Sequence, residues 1–200
     1  SFTCTLGGAD AADFTCTISG NNAQLKFAAV PNYESAADAD TNNVYIVTVL
    51  INDGVANDGN GATTLTITVT DANDQTPTYS ASSTTPSIAE GVTAVDANRA
   101  ITDTDSGDSN SCTLGGADAG DFACTLTGQT AYTLAFSSAP DYDSPADANT
   151  DNVYAVTVTI DDGVNTGATI SYTVTVTDTN DQTPAVSVAA TYNHAEAAST

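Results

Sequence analysis

Thr68 to Pro77 reads TVTDANDQTP, and Thr175 to Pro184 reads TVTDTNDQTP. Upstream of the first, Leu65, Ile67 and Val69 fall on every second position; upstream of the second, Ile170, Tyr172, Val174 and Val176 do the same. A period of two is that of a half-buried β-strand, and an acidic turn closing on proline ends it. Outward from these strands the pattern recurs in Tyr45, Val47, Val49 and Ile51, and again in Tyr154, Val156, Val158 and Ile160. Between the members of each pair lie the turn-rich stretches NDGVANDGNGA and DDGVNTGA, with Gly54 and Gly163 ending the first strand. Each pair is therefore predicted to be an antiparallel hairpin. No segment carries a 3.6-residue apolar stripe, so the expected class is all-β.

The duplication extends over most of the 200 residues. CTLGGADAADFTCTISG from Cys4 returns as CTLGGADAGDFACTLTG from Cys112, and PNYESAADADTNNVYIVTV from Pro31 returns as PDYDSPADANTDNVYAVTV from Pro140. The copies lie 108, 109 and 107 positions apart at Cys4, Pro31 and Pro77, so the insertions and deletions fall in loops. A period this long exceeds the ~20 to 50 residues of stacked solenoid units, which makes each copy an autonomous β-sandwich of the Greek-key, Ig-like kind. Cys4 with Cys16 and Cys112 with Cys124 are separated by the same twelve positions. That spacing suits two small disulfide-closed hairpins and an oxidising compartment; two pairs of buried thiols are the alternative. Zinc would require tighter Cys and His spacing, and His194, the one histidine, lies far off near the end.

Charge narrows the partners. Asp and Glu number 25 against Lys26 and Arg99, a formal net charge of -23. Nucleic acid is excluded because phosphate needs clustered Lys and Arg, and an anionic membrane surface repels such a chain. No apolar run approaches the ~20 residues of a membrane span. Divalent cations are the first partners to consider, with a brine-adapted acidic surface as the plain alternative.

The linkers carry a family resemblance. Asp71, Asn73, Asp74 and Pro77, repeated as Asp178, Asn180, Asp181 and Pro184, follow an alternating strand and resemble the calcium linker of cadherin repeats. Three further elements stand in the order that resemblance implies: Glu90 in SIAEGVTA; Glu34 in PNYE, matched by Asp141 and Asp143 in PDYD; and Asp103 and Asp105 in TDTDSGDSN, with Asn110 as a further carbonyl or amide ligand. The chain is thus similar to extracellular, calcium-binding cadherin-like repeats over nearly its whole length. The resemblance implies Ca2+ held at a central junction by Glu34, Asp71, Asn73, Asp74, Asp103 and Asp105. A distal set of Glu90, Asp141, Asp143, Asp178, Asn180 and Asp181 would be completed by another domain. Calcium takes six to eight hard oxygen ligands in irregular geometry, which carboxylates from separate segments supply. An EF-hand starting at Asp103 fails, because Leu114 stands where a bidentate Glu is needed.

By this reading residues 1–77 are a cadherin-like repeat lacking its first strands, 78–184 a complete repeat, and 185–200 the first strand of a following repeat or a donor strand. The expected role is an extracellular or cell-surface spacer or adhesion module, in contact with neighbouring repeats, with copies of itself head to tail, or with surface proteins and glycans. The alternatives are a filament joined by donor-strand complementation and a carbohydrate-binding module or acidic hydrolase appendage, with Tyr33 and Tyr142 as sugar platforms. Catalysis is disfavoured, because the acidic positions recur in both copies and neither a GxSxG elbow nor a phosphate loop is present.

Overall fold

The computed structural model describes residues 1–55, 61–80, 82–107 and 109–185. The tail expected to form a further strand, with His194, therefore lies outside the described residues. Apart from two three-residue 3-10 turns, Ala11–Asp13 and Ala119–Asp121, the regular structure is all strand. No helix among the described residues is long and apolar enough to cross a membrane.

The first copy contributes β1 (Thr3–Gly7), β2 (Phe14–Ser19), β3 (Asn22–Phe27), β4 (Val44–Asn52) and β5 (Thr63–Thr68). They form an antiparallel sheet β1-β4-β5 and a β2-β3 ribbon. The second copy adds β6 (Thr78–Tyr79), β7 (Ser87–Ala89), β8 (Ala94–Thr102), β9 (Ser111–Gly115), β10 (Phe122–Thr127), β11 (Ala131–Phe136), β12 (Val153–Asp161) and β13 (Ile170–Thr177). These make two four-stranded sheets, β10-β11-β8-β6 and β7-β13-β12-β9, with β7 parallel to β13. The expected Greek-key β-sandwich is thus the observed fold.

The alternation read from sequence is what packs it. Tyr154 faces Val174 and Val156 faces Tyr172 across β12 and β13, and all four are buried with Tyr132, Leu134 and Phe136 of the opposite sheet. In the first copy Tyr45 faces Ile67 and Val47 faces Leu65 in the same register. There the cluster is smaller: Phe14, Tyr45 and Val47 are buried, while Leu65 is 38% exposed where its counterpart Tyr172 is 1% exposed. Among the described residues the first copy has no counterpart of β6, β7 and β8, so its sheets are covered less completely.

The cysteines form Cys4–Cys16 and Cys112–Cys124 disulfides, with Cα separations of 6.1 and 6.2 Å. They do not close hairpins. The 3-10 turn carries the chain from one sheet to the other, so each bridge ties β1 to β2, or β9 to β10, across the sandwich. Buried aspartates hold that crossing. Asp118 accepts hydrogen bonds from Ala148 N–H (2.8 Å) and Ala155 N–H (2.6 Å), and Asp10 does the same for Ala39 and Ile46. Gly116, at φ 101°, passes so close to β12 that a Cβ would lie 2.6 Å from the Ala155 carbonyl oxygen, leaving room for nothing larger.

Arg99, one of two basic residues, is consumed inside the second sandwich. Its Nε donates to Asp96 at 2.7 Å, the Tyr172 hydroxyl donates to the same oxygen at 2.6 Å, and Tyr132 bonds Tyr172 at 2.8 Å. Charge, carboxylate and phenols satisfy one another, which makes burial of the guanidinium tolerable.

Closing a loop of twelve positions constrains the unfolded chain by about 3 kcal/mol. The Cys112→Ala/Cys124→Ala double variant should lose about that much in urea unfolding of the second sandwich. An unchanged midpoint would show that the sheets need no staple.

Candidate metal centre

The turn after β3 is built on Asn32, whose Oδ1 accepts from the N–H groups of Glu34 (2.9 Å) and Ser35 (3.1 Å). Asp141 Oδ1 accepts in the same way from Asp143 (3.0 Å) and Ser144 (3.2 Å). An Asx turn needs only a short side-chain oxygen, so Asn and Asp interchange at this position without altering the turn. One oxygen of Asp141 is thereby committed to local structure. What the turn projects is Glu34 in the first copy and Asp143 in the second.

Glu34 meets the linker that leaves β5 and the loop that follows β8. Ligand oxygens of Glu34, Asp74 and Asp105 lie within 4.8 Å of one another. Asp105 Oδ2 accepts from the N–H groups of Asp74 (2.8 Å) and Gln75 (2.7 Å), binding the second sandwich to the linker. Asp71 Oδ2 accepts from Ser106 N–H at 2.6 Å and from the Ser106 hydroxyl, and Asp103 Oδ1 accepts from Asp105 N–H at 3.3 Å. Each of these three aspartates spends one oxygen on organising the junction. The other oxygen is buried without a partner: Asp71 Oδ1, Asp103 Oδ2 and Asp105 Oδ1, joined in that state by Glu34 Oε1 and Asn110 Oδ1.

Buried acceptors are almost always paired, and an unpaired one costs on the order of 1 to 3 kcal/mol. Asn43 Oδ1 and Asn152 Oδ1 are in the same state elsewhere, whereas the orphan oxygens of Glu34 and Asp105 belong to residues of the group whose carboxylates, with Asp74, approach closely enough to share a cation. Neither basic residue meets the need, since Arg99 is engaged by Asp96 and Lys26 lies on β3 opposite Thr15. The fields agree. Glu34's own backbone bond pulls its carboxyl down, yet desolvation, contact with Asp71 and the charges of Asp74 and Asp105 together hold it above the usual range. Asp71 is held below that range by the hydroxyl and backbone N–H of Ser106.

Asn73, named in the expected ligand set, is bonded across to the second sandwich. Its Oδ1 accepts from Asn165 Nδ2 at 2.9 Å, and its Nδ2 donates to the Asp162 carbonyl at 3.3 Å, so the side chain is turned to the β12–β13 loop. Asn165 also donates to the Gln75 carbonyl at 2.9 Å. Asp162, 4% exposed, accepts from the backbone of Val164 and Asn165. Sequence reading took this loop only as a hairpin turn. Its signal was the doubling of Asn52-Asp53-Gly54 as Asp161-Asp162-Gly163, which put an Asp at the same place in each copy.

At the far end of the second sandwich Glu90 is the organiser. Its two oxygens accept from the N–H groups of Tyr142 (2.8 Å) and Thr179 (2.6 Å), tying β7's end to the Asx turn and to the exit of β13. Asp143 is raised there by desolvation and by the charges of Asp178, Glu90, Asp181 and Asp141. Asp178, Asn180 and Asp181 are exposed, and Asp181 accepts from Gln182 at 2.9 Å. The carboxylates are gathered but not closed into a group like that of the central junction.

No family model matches the sequence, and no curated protein matches it. Solved structures do. The chain superposes on protocadherin gammaB7 EC3-6 with a TM-score of 0.61 at 23% identity, covering 90% of this chain and 41% of that one. Human protocadherin-24 EC1-2 gives 0.64 at 16%, covering 89% and 82%, and Drosophila N-cadherin EC1-4 gives 0.62 at 20%, covering 88% and 41%. The fold is that of cadherin ectodomain repeats, and the chain spans less than half the length of two of these three neighbours.

The opposed shifts set a pH signature for the ion-free protein. Because the folded state raises Glu34, its contribution to stability grows as pH falls from neutral through that raised value. Asp71, lowered in the fold, contributes above the ordinary carboxylate range and loses its contribution as pH falls further. Melting temperature in chelator should therefore rise on mild acidification and then drop, and Glu34→Gln should flatten the rise. A steady fall from neutrality would contradict the shift assigned to Glu34.

Proposed function

We propose that this chain is an extracellular, non-catalytic repeat module whose inter-repeat junction is stiffened by calcium, serving as a spacer or adhesion element. The observation that carries the reading is the gathering of Glu34, Asp74 and Asp105 within 4.8 Å, with buried, partnerless oxygens on Glu34 and Asp105 and on the adjoining Asp71 and Asp103. Glu34, Asp71, Asp74, Asp103 and Asp105 would hold the ion, with Asn110 as a neutral oxygen ligand. Asn73 would act as a direct contact between linker and loop. Residues 1–77 and 78–184 are then successive repeats meeting at the site.

Like charges this close repel strongly where water is partly excluded, and a divalent ion converts that repulsion into cross-links between segments. The far-end set of Glu90, Asp141, Asp143, Asp178, Asn180 and Asp181 is more open, which suits a site completed by a neighbouring repeat or another copy. Two disulfides and a surplus of negative charge fit an oxidising, salt-containing exterior.

Calorimetric titration of chelator-treated protein should show calcium binding and a rise in melting temperature with calcium. Asp105→Asn, which keeps shape and removes one charge, should weaken the tighter phase by at least about tenfold. Asp151→Asn, on an exposed turn away from the junction, should not. Equal affinity in wild type and Asp105→Asn would remove the junction from calcium binding.

A further inference from the structure

Each repeat carries a second concavity, beside its Asx turn and apart from the Glu34–Asp74–Asp105 group. In the second copy it is a cavity of about 170 Å³ bounded by Asp121, Phe136, Pro140, Asp141, Ser144 and Tyr154; in the first it is about 400 Å³, bounded by Asp13, Phe27, Pro31, Asn32, Ser35 and Tyr45. All eleven bounding positions correspond one for one between the copies. The outer rim has diverged, Ser137, Ser138 and Ala139 standing where Ala28, Ala29 and Val30 stand, while the inner set of Asp, Phe, Pro, Ser and Tyr is unchanged.

The walls have a definite chemistry. Phe136 packs at 4.4 Å on Phe122 and edge-on at 4.9 Å to Tyr154, and Phe27 repeats this with Phe14 at 4.6 Å and Tyr45 at 5.1 Å. Proline and aromatic ring give one apolar wall, and Asp141 or Asn32 with the serine common to both copies gives a polar one. At its side stands a half-buried carboxylate, Asp121 or Asp13, that takes part in no side-chain hydrogen bond or ion pair among the described residues. Desolvation and the nearby charges of Asp118 and Asp147 press on Asp121, and those two are already committed to backbone N–H groups. A groove with an apolar wall and a free carboxylate beside it fits a long aliphatic stem ending in a cation.

We propose that these twin grooves receive Lys or Arg side chains of a basic partner polypeptide. A second copy is a poor source. Arg99 is buried in its ion pair, which leaves Lys26 alone to serve two grooves, and two chains of net charge -23 repel. A basic partner is drawn by that same field, and the repetition of the groove lets one extended partner engage successive repeats with added avidity.

The test uses the whole chain in excess calcium, so that the junction carboxylates are saturated, with amide shifts followed by NMR. Acetyl-Gly-Lys-Gly-amide is the probe and acetyl-Gly-Gln-Gly-amide the uncharged control. The expected result is saturable shifts centred on Gly120, Ser137 and Ala146 and their first-copy counterparts with the Lys peptide alone. Asp13→Asn/Asp121→Asn, which removes no hydrogen bond of the fold, should weaken binding about tenfold, the loss of one charge-assisted contact. Equal binding of the Gln peptide, or shifts that stay diffuse and unchanged in the double variant, would overturn the proposal.

Discussion

The structure turns on the division of labour within single carboxylates at the junction. Asp71, Asp103 and Asp105 each give one oxygen to a donor that shapes a loop and leave the other buried and unpaired. The first half of that division makes the junction a defined object, because Asp105 reaches from the second sandwich to the backbone of the linker. The second half makes it unstable as it stands, since desolvated oxygens of like charge face one another. The proposed divalent cation would resolve that conflict, since carboxylate oxygens of Glu34, Asp74 and Asp105 already lie within 4.8 Å of one another.

The sandwiches position this set. Paired strands β4–β5 and β12–β13 deliver the linkers to the sandwich ends, the inter-sheet disulfides fix where the opposite sheet begins, and the Asx turns of Asn32 and Asp141 aim Glu34 and Asp143 at those ends. Asn165 and Asn73 add a contact between linker and loop that is independent of any ion. Contact at the junction therefore has a neutral component, which positions the parts, and an electrostatic component, on which the proposed cation would act.

Much of this was legible beforehand because the signal was periodic and duplicated. Strand alternation fixed the inward faces of Tyr45, Val47, Tyr154 and Val156, and those residues are among the most buried. The convergence of Glu34, Asp74 and Asp105 followed from motif order. What sequence could not supply was direction. The hairpin expected between Cys4 and Cys16 is a crossing between sheets, because a three-residue 3-10 turn is too short to leave a pattern. The contact of Asn73 with Asn165, a partner 92 positions away, likewise left no mark in the local sequence. Nor does the strand pattern single out Asp10, Asp118, Asp38 and Asp147, although all are buried acceptors for backbone N–H groups. Their doubling in both copies was the available clue.

The central claim is that the junction is a cation-dependent stiffener. Small-angle scattering of one sample in chelator and then in calcium tests it most directly. The account predicts that the maximum dimension is longer and more sharply defined in calcium, with Asp105→Asn remaining chelator-like at the same calcium concentration. Identical profiles with and without calcium in the unaltered chain would contradict it.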